Sequence, residues 1–368
     1  MQKTPFNFSE LSSGMNASLL SNRAMRIAGG FSFALLLLSS GCAEKKSVSV
    51  DAPLELEMER LSVMFYNVEN LFDIEDDPNT FDEDFTPNGK LTWDQGRLDT
   101  KILNLGKVVD AAAEGMPDIL GLCEIENLAV IEEFAQSAYL KATPYKIIHK
   151  ESPDGRGIDV ALLYNSSRVS LSEVNYIQSK LPSGDRPNTR LVLHAKGDVG
   201  GQEMHFFVNH WPSRGGGKEA SEPNRMTVAY NVRQEVNAVL EENENAAIIL
   251  MGDFNDYPND KSMVDVLSSG RKGEKLLYNL MWEKHKLGEG SYNYRGEWGA
   301  LDQFVVSQNL ADGLEVDVDE STVRFVREEW MMYTNDKGEV YPSRTYGGPN
   351  YYGGYSDHLP IYMEVKLK

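Results

Sequence analysis

Apolar positions along this chain fall into short runs with polar ends, interrupted by two longer amphipathic stretches. The runs "LSVMFYNV" (61–68), "DILGLC" (118–123), "GIDVALLYN" (157–165), "RLVLHAK" (190–196), "EMHFFVNH" (203–210), "AAIILMG" (246–252), "LDQFVVS" (301–307) and "PIYMEVKL" (360–367) predict strands. "RLDTKILNLGKVVDAAAEG" (97–115) carries Leu98, Ile102, Leu105, Val109 and Ala112 at helical spacing, with Gly115 as a stop and Pro117 just beyond. "NRMTVAYNVRQEVNAVLEE" (224–242) predicts a second helix. Strands and helices alternate, with several direct strand-to-strand connections, which favours an α/β domain with mixed sheets. No composition break divides the chain and no internal repeat is present. Two long loops remain: 73–96, rich in Asp, and 334–356, rich in Gly and Tyr.

The polar tips of the strands change the picture. "FYNVEN" ends a strand with Asn67 and Glu69, "LCEIEN" with Glu124, "VNHWPSR" with Asn209 and His210, and "MGDFND" with Asp253 and Asn255. "LDQF" starts one with Asp302, and "YSDHLP" precedes the last with Asp357 and His358. Any one such tip is an ordinary turn or cap. Six together suggest a site at the strand ends of an open sheet, where α/β proteins place their ligands. Carboxylates and amides are hard oxygen donors, suited to Mg²⁺ or Mn²⁺. The chain has no HExxH, no GxxxxGK[ST] and no GxSxG, against a zincin, a P-loop enzyme and a nucleophile-elbow hydrolase. The acidic loop "DIEDDPNTFDEDF" lacks the EF-hand order and reads as solvated.

Charge and the N-terminus add location. The 368 residues carry a formal charge of −20, an adverse field for a partner gripped by its phosphates. Arg23 and Arg26 precede "GGFSFALLLLSSGC", an apolar segment of signal-peptide length ending in small residues before Cys42. This segment resembles a bacterial lipobox. Residues 1–41 are therefore expected to be a lipoprotein signal peptide, Cys42 the lipid anchor, 42–58 a tether and 59–368 the folded domain. Removing 1–41 takes away three positive charges and one negative and leaves −22. Only Cys123 remains besides Cys42, and it reads as a buried thiol.

These tips, in this order, resemble the endonuclease/exonuclease/phosphatase superfamily of metal-dependent phosphoesterases: "NVEN", "CEIEN", "NHW", "GDFND", "LDQF" and "SDHLP" span nearly the whole mature chain. The resemblance implies a four-layer sandwich, with two face-to-face mixed β-sheets flanked by helices. It implies Glu124 as main ligand of Mg²⁺ or Mn²⁺, supported by Asn67, Glu69 and, through water, Asp357. Asp253 would orient or deprotonate the attacking water, and Asn255 would hold the phosphate or the water. His358 would contact a phosphate oxygen with its tautomer fixed by Asp302, and His210 would be a second donor or act on the leaving group. The acid paired with His210 is left open among Glu151, Asp154 and Asp159. Arg156 either reaches a phosphate or solvates a loop. Arg214 and Lys218 read as solvated, and His149, His194, His205 and His285 as structural. Arg344, Tyr346 and Tyr355 precede Asp357 in a Gly-rich loop that reads as a substrate-binding lid.

The reading is a monomeric, membrane-anchored, extracytoplasmic phosphoesterase acting on a small or lipid-linked phosphoester. A surface nuclease cleaving DNA or RNA is the alternative within enzymes, and a non-catalytic binding lipoprotein the alternative outside them.

Overall fold

The computed structural model describes residues 59–112, 115–182, 188–313 and 315–368. The stretches expected to be signal peptide and tether, with Cys42, lie outside the described residues. Two sheets dominate. The first takes β1 (Arg60–Leu71), β2 (Ile119–Ile125), β3 (Tyr145–His149) and β4 (Asp159–Asn165) from the first half of the chain. The second is built from β5 (Val169–Ile177), β6 (Val192–Val199), β7 (Gln202–His210), β8 (Ala247–Asp253), β9 (Ser269–Gly270), β10 (Leu277–Asn279) and β11 (Asp302–Ser307). The chain then returns to the first sheet with β12 (Val316–Phe325) and β13 (Ile361–Leu367). The strand orders are β12-β13-β1-β2-β4-β3 and β5-β6-β7-β8-β11-β10-β9.

Both sheets are mixed for the same reason. β1 and β2 are parallel and joined by helix α1 (Gln95–Ala112); β7 and β8 are parallel and joined by helix α3 (Lys218–Glu242). Parallel neighbours need a crossover, and a helix supplies it. The remaining contacts within the two sheets are antiparallel apart from β9 with β10.

Three apolar clusters define four layers. Strand alternation sends Val63 and Phe65 of β1 to the inner cluster with Leu193, Phe206, Ile249 and Phe304 of the second sheet. Met64, Tyr66 and Val68 face the other way, onto Leu98, Leu105 and Val109 of α1 and onto Val130 and Phe134 of helix α2 (Leu128–Ala135). Phe207, Ile248 and Leu250 pack on Val228, Val232 and Val236 of α3. Each fully buried Phe, Leu or Val contributes about 1.5–3 kcal/mol. The result is the expected four-layer α/β sandwich. No helix among the described residues is long and apolar enough to cross a membrane.

Two departures have physical causes. α3 begins at Lys218 rather than 224, with Pro223 inside it. Its first turns are held from the side: buried Arg225 lies 2.8 Å from Asp256 and donates to Ser221 Oγ at 2.7 Å. The loop 334–356 is not free either. It folds into short ribbons, with Met332–Thr334 paired to Val340–Pro342 and Tyr346–Gly347 to Asn350–Tyr351.

Candidate active site

Topology brings the six polar tips to one edge. β1 and β2 are parallel, so Asn67, Glu69 and Glu124 lie at neighbouring C-terminal ends. β13 runs antiparallel to β1, with Ile361 opposite Phe65, so Asp357 and His358 reach that edge from the opposite direction. In the second sheet Asp253 stands opposite His210 on one side and Asp302 on the other.

Local irregularities aim the side chains. The β1–β2 register shifts between Asn67 and Leu71, and the β2–β4 register between Cys123 and Ile125. Such bulges re-aim a strand's side chains. Glu69, Asn70, Glu124 and Asn255 all take left-handed backbone, with φ of 52°, 55°, 65° and 51°. Each costs about 1–2 kcal/mol for a non-glycine residue, which the surrounding packing must offset. Gly252 is required: a Cβ there would lie 2.3 Å from the Asn209 carbonyl oxygen. "GDFN" is thus a strand end that also turns, with its glycine fixed by the approach of β7.

Asp253 is at the centre. It is buried and accepts from the Asn255 backbone at 2.9 Å and from the Asn255 and Asn67 amides, both at 3.2 Å. The Asn67 bond crosses between the two sheets. Burial above all, with the charges of Asp302 and Glu124, pushes Asp253 up to about 7, against the opposing pull of His358 and the Asn255 N–H.

Two histidines face it in opposite states. His358 Nδ1 lies 2.6 Å from Asp302 Oδ2, and its Nε2 lies 4.0 Å from Asp253 Oδ2. Burial works to lower His358, but the contact with Asp302 and the charges of Asp253 and Asp357 prevail and hold it well above its usual range. The Tyr292 ring packs on it at 4.9 Å. His210 Nε2 lies 3.8 Å from Asp253 and 3.9 Å from Glu124. Burial, then the charges of Arg190, Arg156 and His358, push it well below its usual range, and its Nδ1 is buried without a hydrogen-bond partner. None of the three acids left open is bonded to His210. Asp154 is taken by Arg190 at 3.1 Å, Asp159 by His149 at 3.0 Å, and Glu151 is exposed.

The expected metal set surrounds a second focus. Glu69 accepts from the Thr345 N–H at 2.7 Å and Arg344 Nε at 3.0 Å; Arg344 Nη2 donates to Asp357 at 3.0 Å. Buried Lys101 lies 3.8 Å behind Glu69. Glu124 accepts from the Asn70 N–H at 3.0 Å and turns its other oxygen toward Arg156, 3.8 Å away. Burial first, then Asp357, pushes Glu69 up to about 7, while Lys101 and Arg344 pull it down. Oxygen-only donors around such a crowded carboxylate fit a hard divalent cation. Among the described residues, the ligand atoms that close to within 4.8 Å of one another are those of Asp253, Asp302 and His358, and of His149, Glu151 and Asp159. Glu69, Glu124 and Asp357 do not draw in to that spacing, because Arg344 clamps two of them and the backbone holds the third. In the Asp253 group, His358 Nδ1 and Asp302 Oδ2 already contact each other at 2.6 Å.

Arg156 and Arg344 both lie at the site, Arg156 through the Asn70 amide oxygen at 2.9 Å. Tyr346 and Tyr355 pack on the body, while Tyr352 of the same loop is exposed. Tyr346 is 8% exposed, donates to the Leu91 carbonyl at 3.1 Å and packs on Trp93; Tyr355 packs on Trp330. Each aromatic ring gains more by covering apolar neighbours than by standing in water. Tyr346, Glu69, Arg344, Phe85 and Leu91 border a cavity of 190 Å³. Nor is Arg214 solvated: it donates to the Asn255 carbonyl at 2.8 Å, reaches Asp260 at 3.1 Å and stacks 4.1 Å from the Tyr257 ring centre.

Lys101, Arg190 and Arg225 are part of the site's support and do not stand out in the strand-tip pattern. Lys101 is in phase with Leu98 and Leu105, and Arg225 with Val228 and Val232. A cation on an apolar stripe must be paired to be buried, and that is the signal that would have found both.

Comparison with solved structures gives the same fold at low identity. An endonuclease/exonuclease/phosphatase family protein from Bacteroides thetaiotaomicron is 18% identical, with 84% of this chain and 95% of that one covered and a TM-score of 0.52. A mannosyl-6-phosphatase from the same organism is 19% identical, with 83% and 99% covered and a TM-score of 0.51. Danio rerio TDP2 complexed with a single-strand DNA product is 18% identical, with 83% and 98% covered and a TM-score of 0.50. No curated protein sequence matches the chain significantly. The model of the Endonuclease/Exonuclease/phosphatase family matches residues 62–367, and with that match over this edge of strand-end acids and histidines the chain belongs to that family of divalent-metal-dependent phosphoesterases.

Proposed function

We propose that this protein hydrolyses a small or lipid-linked phosphoester with Mg²⁺ or Mn²⁺, by in-line attack of water. The observation that carries the reading is buried Asp253, whose Oδ2 lies 3.8 Å from His210 Nε2 and 4.0 Å from His358 Nε2, with His358 bonded to Asp302 and the carboxylate held by the Asn255 and Asn67 amides. Burial pushes Asp253 up to about 7, which suits it to take a proton from water near neutral pH. Protonated His358 donates from Nε2 to a phosphoryl oxygen and meets the charge that grows in the transition state. Neutral His210 orients the phosphate or the leaving group. Asn255, its amide fixed on Asp253 and the Trp211 carbonyl, keeps the carboxylate turned to the water. Asn67, Glu69, Glu124 and Asp357 would hold the cation, which supplies Lewis-acid neutralisation of the phosphate. Arg156 and Arg344 provide the remaining positive charge at the rim.

Small substrates are favoured by two features. The charge of −20 is borne by a chain that offers few cations at this edge. The cavity beside Glu69, at 190 Å³, is smaller than pockets for drug-sized ligands, roughly 300–1,000 Å³. Structures of like fold include both a phosphatase and a DNA-bound protein, so fold alone does not select. Specific activity on plasmid DNA, oligonucleotides and a panel of small phosphomonoesters and diesters at physiological salt tests the reading. Small esters should be turned over fastest; duplex DNA cut faster by about an order of magnitude would replace this function with a nuclease's.

We also place the domain outside the cytoplasm, tethered through lipidated Cys42, on the strength of the lipobox-like segment. Mass spectrometry of the mature N-terminus should find a lipid-modified Cys42; an unmodified chain starting further on would contradict it.

A further inference from the structure

Helix α1 carries a polar row on the face that meets the 334–356 loop. Arg97, Lys101, Asn104 and Lys107 recur at spacings of three or four, which keeps them on one side of the helix. Arg97 donates to the Tyr346 hydroxyl at 3.2 Å, and Asn104 to the Gly353 and Gly354 carbonyls at 3.0 and 3.1 Å. Lys107 stands 3.9 Å from the centre of the Trp330 ring, just before the loop.

Lys101 differs from the others in being fully enclosed, at 1% exposure. Its Nζ donates to Thr345 Oγ1 at 2.6 Å and to the Tyr355 carbonyl at 2.7 Å, and stands 3.8 Å from Glu69 Oε2. Two of its three N–H groups thus bond to the loop. Thr345 closes the circle, because its own N–H donates to Glu69 Oε2 at 2.7 Å. One oxygen of Glu69 is therefore held by Thr345 and faced by Lys101, while the other, Oε1, meets Arg344 at 3.0 Å. The two loop residues that Lys101 grips adjoin the site: Thr345 follows Arg344, and Tyr355 lies two before Asp357.

We propose that Lys101 is a positioning residue for the divalent cation: it orients Glu69, fixes the loop that delivers Asp357, and so sets how tightly the cation is held. This rests on the metal-dependent reading above, with Glu69 and Asp357 among the ligands. Two effects of Lys101 oppose each other. As a nearby positive charge it repels a second cation and weakens metal binding. As an outer partner that orients a ligating carboxylate it strengthens binding, and loss of such a partner costs about 10–100-fold in metal affinity. The contacts favour the second effect. Lys101 bonds directly to the loop and comes no closer than 3.8 Å to Glu69, whereas Arg344 bonds to both Glu69 and Asp357 at 3.0 Å. Without Lys101 the charge of Arg344 stays, but the buried Thr345 hydroxyl and the Tyr355 carbonyl lose the donor that joins them.

The test measures Mn²⁺ binding to the full chain by calorimetry, well below the melting temperature of each variant. Lys101→Met keeps the apolar stem and removes the ammonium. It should weaken Mn²⁺ binding by about 10–100-fold, and amide exchange across residues 343–357 should quicken in the metal-free protein. Turnover should largely return at saturating Mn²⁺, so that the loss falls on the metal requirement and not on kcat. Thr345→Val removes only the hydroxyl that Lys101 bonds, keeps the N–H to Glu69, and serves if Lys101→Met fails to fold. It should also weaken Mn²⁺ binding, and Thr345→Ser should restore the parent's affinity. Unchanged or tighter Mn²⁺ binding in whichever of Lys101→Met and Thr345→Val folds would overturn the proposal alone, and would leave Lys101 a packing group or a simple charge. A parent that binds no Mn²⁺ would overturn the proposal together with the metal-dependent reading.

Discussion

Asp302→Asn is the most informative single change at this site, because it separates charge from orientation. Asparagine keeps an oxygen that can accept from His358 Nδ1, now 2.6 Å from Asp302, so the ring and its tautomer stay in place. What is lost is the negative charge that outweighs the burial of His358. Two unit charges about 4 Å apart at an effective dielectric near 20 interact by about 4 kcal/mol. That is roughly a thousandfold in the protonation equilibrium. His358 has its pKa raised in the native site, so its cationic form persists through neutral pH and is lost only as pH climbs past the raised value. Asp253, pushed up to about 7, must lose its proton for activity. The parent should therefore show kcat/KM rising near pH 7 and falling only at clearly alkaline pH. In Asp302→Asn the alkaline limb should slide down to meet the rising one. The optimum should move to lower pH, with a loss of about 10²–10³ at pH 8. His358→Ala should lose more, and the double variant no more than His358→Ala alone. An alkaline limb that stays where it was, or losses that multiply, would refute the partnership.

Other expectations concern the cation and the cost of the site. Glu124→Gln should cut turnover at least about a hundredfold and leave the melting temperature near the parent's, since its bond from Asn70 survives; a fully active variant, or full activity in excess chelator, would remove it from the metal set. Asp253→Asn should abolish activity yet melt higher than the parent at pH 8 in chelator. An acid whose folded pKa is raised loses stability as pH rises from the ordinary carboxylate range to about 7, and carries the full deficit above that. A lower melting temperature would deny the raised pKa. Arg225→Met should lower stability by about 3–5 kcal/mol in urea unfolding, because it leaves buried Asp256 with Ser262 and, at 3.6 Å, Arg214, but without its 2.8 Å cationic partner. A loss under about 1 kcal/mol would mean that the pair is not needed.

Much of this architecture is legible in the chain, and the exceptions share causes. Central strands such as β1 and β8 are buried on both faces and read as plain apolar runs. β12, "VDVDESTVRF", is an edge strand interrupted by acids, and β5 is fully buried only at Val169, so neither shows such a run. β3 and α2 are short enough for their pattern to be ambiguous. At the site, the strand-end acids and histidines stand out because polar groups at the tips of buried strands are conspicuous. The supporting shell does not. Lys101 and Arg225 look like surface cations until the helix phase is counted, and the fate of Asp154 and Asp159 depends on Arg190 and His149, whose approach only the fold supplies. The packing of Tyr346 on Trp93 and of Tyr355 on Trp330 is hidden for a related reason: composition cannot reveal which apolar partners the body of the protein offers.

His210, Asp253 and Asp302 occupy one row across three hydrogen-bonded strands. Their spacing is therefore set by the backbone ladder, at about 4.8 Å per step, and not by any loop. Loops beyond the strand ends are free to lengthen, shorten or change composition, and so to change what the protein accepts, while this row stays as it is. Within the strands the tolerance vanishes: deleting a single residue from β8 would turn Asp253 to the opposite face of the sheet. Evolution of new substrates on this scaffold is thus confined to the rim, and a lineage that loses the register of β8 loses the chemistry in one step.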